Sequence, residues 1–271
     1  MSALSELFES LATRTWNDIG DADRLGFAMG ETSITDFHMR DLFRAKLRGI
    51  RIRQAKGLDE ARFGFDWEWW LGARDSWIRY SVQAKKLSQG TGKYDSLRQP
   101  VGKGPGAPQQ IDVLDSFAQS QNSIPLYCFY NHLKNHVTAR DGWNCHCEFD
   151  LTQLGCTLAP LHEVRVQHKA GETKTFTALH YKKSAIPWRC LFKCWGLPWP
   201  SLGPGGPFYP FDYVVRPRRL PQFLTPEATE NEGELPAGGY HAIELPSQYY
   251  DSQLGGYPKR IAVFDFEQME F

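Results

Sequence analysis

The chain has 271 residues, of which 41% are hydrophobic and 23% charged, a balance that supports a globular core rather than wholesale disorder. Lys plus Arg equals Asp plus Glu at 31 each, which excludes nucleic-acid binding through bulk positive charge; any basic surface has to be local. The opening MSALSELFESLATRTW carries Glu6 and Glu9 inside its apolar pattern and has no long apolar run, so no secretory leader and no membrane span are expected, and the expected compartment is the cytoplasm. Aromatic residues at 14% predict a core built largely from rings, and the six cysteines read first as reduced thiols.

In chain order, Leu4, Leu7, Phe8 and Leu11 recur at helical spacing and predict a helix over 3–14. A second helix is expected from about Glu31 to Leu47, with Ile34, Phe37, Leu42, Phe43 and Leu47 apolar. IRIRQA (50–55) alternates as a strand with one wet face. Two further strands are expected near 62–72 and 76–87, joined by the turn residues Gly72-Ala73-Arg74-Asp75. A Gly/Pro/Ser-rich loop over 88–108 leads into a helix at 109–121 and a buried strand at 124–131. This order predicts an α/β (α+β) fold: a meander of three strands, with the fourth returning through a helical crossover.

Beyond residue 131 the pattern weakens. Helices are expected at 157–169 and at 184–195, the second capped by Ser184, and IAVFDF (261–266) reads as a late strand. GLPWPSLGPGGPFYPF (196–211) and the acidic stretch around Glu227, Glu230, Glu232 and Glu234 are expected loops. Residues 132–271 are therefore expected to be a large irregular extension that packs on a 1–131 core.

The chemistry concentrates in GFDWEWWLGARDSWIRYSVQAKK (64–86). Strand alternation puts Asp66 and Glu68 on one face, opposite Phe65, Trp67 and Trp69, and puts Gln83 and Lys85 on a common face of the next strand. A hairpin turning near 72–75 brings Asp66 beside Gln83 and Lys85. A carboxylate, an amide oxygen and the Ala84 carbonyl make an all-oxygen set suited to Mg²⁺ or Mn²⁺. Lys85 beside such a cation would position or activate a water and stabilise charge on a phosphate. The competing reading is structural: Asp66 and Glu68 as the solvated side of an amphipathic hairpin, with Lys85-Lys86 as its charged end.

An Asp at one strand, then Gln-x-Lys on the next, resembles the PD-(D/E)XK (restriction-endonuclease-like) nuclease superfamily, in its Mrr-like Gln-x-Lys branch. Phe65-Asp66-Trp67-Glu68-Trp69-Trp70, Val82-Gln83-Ala84-Lys85 and Tyr127-Cys128-Phe129-Tyr130-Asn131 also resemble an uncharacterised microbial family with the same core. The nuclease resemblance covers roughly residues 30–131. It implies a mixed central sheet flanked by helices, Mg²⁺-dependent endonuclease activity on nucleic acid, DNA before RNA, and by the superfamily's habits a place in bacterial antiviral defence, a homodimer or a regulatory protein partner. It implies Asp66, Gln83, Lys85 and Glu31 as catalytic residues, Glu31 matching the acid that joins such sites from the preceding helix. Glu31 also suits the first turn of a helix for its dipole alone. Phe65 stands where the motif name has Pro, and Gln83 replaces an acid, which lowers the site's charge; Glu68 would then supply a further carboxylate to the metal. A chain whose site has lost activity would instead be a binding module for nucleic acid or protein.

From Arg40 to Lys56 the sequence RDLFRAKLRGIRIRQAK holds Arg40, Arg44, Lys46, Arg48, Arg51, Arg53 and Lys56 against a single acid, a local stripe of the kind that binds phosphate backbones. Lys86 and Lys103 extend the expected nucleic-acid contact. His132, His136, Cys145, His146 and Cys147 raise a structural zinc as an alternative to buried thiols, and Cys190 with Cys194 reads as a buried helix face.

Overall fold

The computed structural model describes residues 3–55, 64–102, 104–134, 136–145, 147–169, 175–180, 185–192, 216–225, 241–243 and 260–269. Helices α1 (Ala3–Leu25) and α2 (Glu31–Arg44) precede strands β1 (Ile50–Ala55), β2 (Trp67–Ala73) and β3 (Ser76–Lys86). Helix α3 (Gln110–Ser120) leads to β4 (Ile124–Tyr130), followed by α4 (His136–Asp141), β5 (Cys156–Pro160), α5 (Leu161–Lys169), α6 (Phe176–His180), β6 (Ile186–Pro187), β7 (His241–Ile243) and β8 (Arg260–Asp265). All eight strands form one mixed sheet in the order β6-β5-β4-β3-β2-β8-β1-β7.

One face of the sheet carries Trp67, Trp69, Tyr80, Val82, Ala84, Cys128, Tyr130 and Phe264, covered by α1 through Leu4, Phe8 and Leu11 and by α2 through Ile34, Met39 and Leu42. The other carries Tyr127, Phe129 and Ala159 against α3 (Ile111, Leu114, Phe117), α5 (Leu161, Val164) and α6 (Phe176, Leu179). β2 and most of β3 are buried on both sides, which is why the hairpin is apolar almost throughout. Rings do much of the packing: Phe8 lies 4.7 Å from Trp188 and Trp67 lies 4.7 Å from Trp69, each edge-on.

The expected α/β class holds, and so does the helical crossover: β3, α3 and the parallel β4 follow one another as read. Three expectations are corrected. The meander is interrupted, because β8 lies between β1 and β2, antiparallel to the first and parallel to the second. The helix expected over 157–169 is divided: Cys156–Pro160 form a strand paired with β4, and the helix begins at Leu161. Where a helix was expected over 184–195, Ile186–Pro187 form a short strand and Trp188–Leu191 a 3-10 turn; Ser184 lies outside the described residues. Phe65 also departs from its expected face. It sits 4.8 Å from Phe117 of α3, opposite Trp67 and Trp69, because the chain bends at Asp66 before β2 starts. Among the described residues no helix is long and apolar enough to cross a membrane.

Candidate active site

The site lies where β2 and β3 part. Their pairing ends at Trp67 opposite Val82, yet β3 continues to Lys86 along β4. The backbone groups of Ala84 and Lys86 that would have bonded β2 are thus left without a strand partner on that side, and side chains must satisfy them. Asp66, just ahead of β2, takes the first: its Oδ2 accepts from Ala84 N at 2.7 Å. Glu31, opening α2, takes the second: its Oε1 accepts from Lys86 N at 2.9 Å and from Ser96 Oγ at 2.6 Å. The two carboxylates are thereby brought to amides two residues apart, about 7 Å along a strand.

Gln83 and Lys85 project from β3 to the α3 side and are each 1% exposed. The Gln83 amide nitrogen donates to Asp66 Oδ2 and, at 2.9 Å, to Ala84 O. Its Oε1 is buried without a partner. Lys85 Nζ donates to Gln110 Oε1 at 2.7 Å, so the first residue of α3 holds the ammonium. Burial lowers the proton affinity of Lys85, opposed by the negative charges of Glu31 and Asp66. Burial likewise pushes the enclosed Asp66 carboxyl up to about 6; the Ala84 amide, Lys85 and Arg260 pull it down and Glu31 raises it.

Asp66, Gln83, Lys85 and Glu31 therefore meet, as the sequence suggested. Glu68 does not join them, and its expected role as a metal ligand is corrected. It is fully buried, its Oε2 receiving Arg79 Nη2 at 2.6 Å and its Oε1 receiving the Trp70 indole N–H. Both acceptor oxygens serve the hairpin itself. The register that sets Arg79 opposite Trp70 places it one diagonal step from Glu68.

A hard dication takes oxygen donors, and Asp66, Ala84 and Gln83 are the fork residues that would offer them. The Gln83 amide nitrogen stands between the Asp66 carboxylate and the Ala84 carbonyl; were the amide turned over, its oxygen would complete an all-oxygen group of the kind Mg²⁺ and Mn²⁺ accept. No group of three or more His, Cys, Asp or Glu side chains is placed to share a metal among the described residues. The candidate set accordingly leans on neutral oxygens, with Gln83 where an acid would add charge.

The basic stripe is corrected in part. Arg44, Lys46 and Arg48 are exposed at the far end of α2, but Arg51 pairs with Asp265 at 3.2 Å and also donates to Leu224 O, Arg53 is 4% exposed, and Arg40 binds Asp41 at 3.0 Å. Lys86 is half-buried, and Lys56 and Lys103 lie outside the described residues. Of the residues raised for zinc, His132 lies against Trp16 with ring centroids 4.8 Å apart and tilted and with Nδ1 3.0 Å from Trp16 O, while His146 and the His136 side chain lie outside the described residues. Cys190, expected on a buried helix face, is buried on the 3-10 turn, and Cys194 lies outside the described residues.

Two partners of the site were not legible in the sequence. Gln110 is 25 residues from the lysine it holds. Arg260 is 194 residues from Asp66, whose main-chain oxygen lies 3.5 Å from Arg260 Nη1. Contacts this distant leave no periodic trace in a single sequence.

Residues 4–267 match the Family of unknown function (DUF6615). The chain belongs to this family. The match runs through every described element of this DUF6615 chain, from α1 to β8, and so takes in the fork, Gln110 and Arg260 together. No curated protein matches the chain.

Proposed function

We propose that this chain is a metal-dependent nuclease of the PD-(D/E)XK kind, hydrolysing phosphodiester bonds in DNA in the cytoplasm. One arrangement carries the reading: the Asp66 carboxylate and the Ala84 carbonyl both meet the Gln83 side-chain amide at a strand fork, with a buried lysine two residues along the same strand. Asp66, Ala84 O and Gln83 Oε1 would hold Mg²⁺, or Mn²⁺ in its place. When bound, the cation supplies Lewis-acid activation of the phosphodiester and of water.

The remaining steps belong to the chain. Lys85, steered by Gln110, orients the attacking water and sets positive charge against the negative charge that develops on the phosphoryl oxygens. Its burial eases proton release from the ammonium, and Glu31 and Asp66 limit that effect. Glu31, tied to Lys86 N and Ser96 Oγ, holds the end of β3 and the Asp95–Arg98 turn of the 88–108 loop in register with the site. Arg44, Lys46 and Arg48 stand at the other end of the 14-residue α2. That is about 20 Å from Glu31, a reach suited to phosphates several nucleotides from the cut.

A second reading has its own observation. The Gln83 amide already bridges Asp66 and Ala84 with protein hydrogen bonds, as it would in a chain that binds nucleic acid or a protein without cutting. Incubation of supercoiled DNA with wild-type and Asp66→Asn protein, in Mg²⁺ and in EDTA, separates the two. Nicking or linearisation in Mg²⁺ alone, absent from the variant, supports the nuclease; DNA retained intact on the protein under both conditions supports the binding module.

A further inference from the structure

Arg260 opens β8, near the end of the chain, and is 3% exposed. Its guanidinium reaches in two directions. Nε donates to Asp36 Oδ1 at 2.6 Å, and Nη1 lies 3.5 Å from the main-chain oxygen of Asp66. Asp36 belongs to α2, five residues after Glu31. One planar cation therefore spans the two elements that deliver the two acids of the site.

Such a brace is needed on physical grounds. Asp66 stands on a bend, preceded by Gly64 at φ +72° and outside the ladder that begins at Trp67. Its own main chain is tied to β3 by one bond, Asp66 N to Val82 O at 3.0 Å. Glu31 belongs to the first turn of a helix with no side-chain cap. Asp66 lies outside the ladder and Glu31 in an uncapped first turn, yet a cation ligand such as Asp66, and the Glu31 tie that fixes the end of β3 beside it, must keep their places within about 0.5 Å.

We infer that Arg260 is a positioning residue for the candidate cation site, clamping the Asp66 segment to α2 so that the Asp66 and Glu31 carboxylates keep a fixed relation at the fork. The inference rests on reading the fork as a cation site. An arginine suits the role because its fork of donors is rigid and points to separate acceptors; lysine offers a single compact charge. Asp36 acts only through Arg260. It is 55% exposed, so loss of the arginine returns it to water and strands no buried charge.

The test is Mn²⁺ binding to the full chain, followed by the electron paramagnetic resonance signal of the free ion, in wild type, R260M, D36N and the double variant, with folding checked by circular dichroism. Outer partners of metal ligands change affinity by about 10–100-fold. R260M should therefore bind Mn²⁺ at least about tenfold more weakly, D36N should weaken binding in the same direction, and the double variant should be no worse than R260M, because both changes break one connection. R260K should recover part of the loss. A folded R260M that binds Mn²⁺ as tightly as wild type, even at lower stability, would overturn the inference and leave the cation site standing. No binding by the wild type would overturn both.

Discussion

Replacing Glu68 by glutamine removes a charge that the hairpin encloses completely while keeping the side chain's size and an acceptor for the Trp70 indole. Arg79 then keeps a buried positive charge at 2% side-chain exposure without its counter-ion. Breaking such a pair from one side costs about 3–5 kcal/mol. Arg79 also donates to Gln121 Oε1 at 3.2 Å and lies 5.1 Å from the Phe117 ring and 5.7 Å from that of Trp70. Those contacts soften the loss, so the lower end, about 3 kcal/mol, is expected, or a fall in Tm of about 6–12 °C for a chain of this size. The paired substitution Glu68→Gln with Arg79→Met leaves no orphaned charge and keeps an acceptor for the Trp70 indole, and should lie within about 1 kcal/mol of wild type. Urea and thermal unfolding followed by tryptophan fluorescence supply both numbers, and metal binding measured alongside should survive in whatever remains folded. A Glu68→Gln chain of wild-type stability that no longer binds Mn²⁺ would refute the reasoning and return Glu68 to the site.

Two further outcomes follow from other parts of the molecule. Gly64 sits at φ +72°, and a Cβ there would stand 2.8 Å from Gln110 O and from Leu114 N, both main-chain atoms. Gly64→Ala should cost about 2–4 kcal/mol from the left-handed backbone and the forced shift of α3; wild-type unfolding by urea would contradict the close approach. His38 and His180 are held neutral by burial, each lowered to about 3. The unfolded chain takes up their protons below about pH 6.5, so this stability is complete above that value and is lost as pH falls towards 3, by about 1.4 kcal/mol per pH unit for each histidine. Asp66, raised to about 6, works in the opposite sense over the upper part of that window. His180→Gln, which keeps a polar partner for Thr157, should flatten the acid slope by one proton between pH 6 and 4; an unchanged slope would show that His180 is not buried neutral.

How much of this was legible in the sequence depends on the range of the contact. Strand β1 matches its expected 50–55 limits, and β3, α3 and β4 fall within a residue of theirs, because alternation, turn residues and helical spacing are local signals. Asp66, Gln83, Ala84 and Lys85 came together for the same reason, through a hairpin whose expected turn at 72–75 closes on two residues, Arg74 and Asp75. The position of β8 between β1 and β2 was not legible, since IAVFDF shows that a strand forms and not which neighbour it takes. Cys156–Pro160 was hidden by length: five buried residues running directly into a helix carry no period of their own. Glu68 shows the limit of a face assignment. The alternation that groups it with Asp66 says nothing about Arg79, and the ion pair decides its role. Arg51 and Arg53 fail as surface residues for a related reason, because β1 is an inner strand with β7 and β8 on its two sides.

Lys85→Met bears most directly on the claim that the fork cuts nucleic acid. Methionine matches the lysine stem in size and suits a position 1% exposed, so the variant should fold and be at least as stable as wild type. Supercoiled DNA, linear DNA and RNA, each incubated with Mg²⁺, Mn²⁺ or EDTA, should show metal-dependent cleavage by the wild type and none by Lys85→Met. Equal cleavage by both proteins, or none by the wild type on any substrate with either metal, would contradict the account.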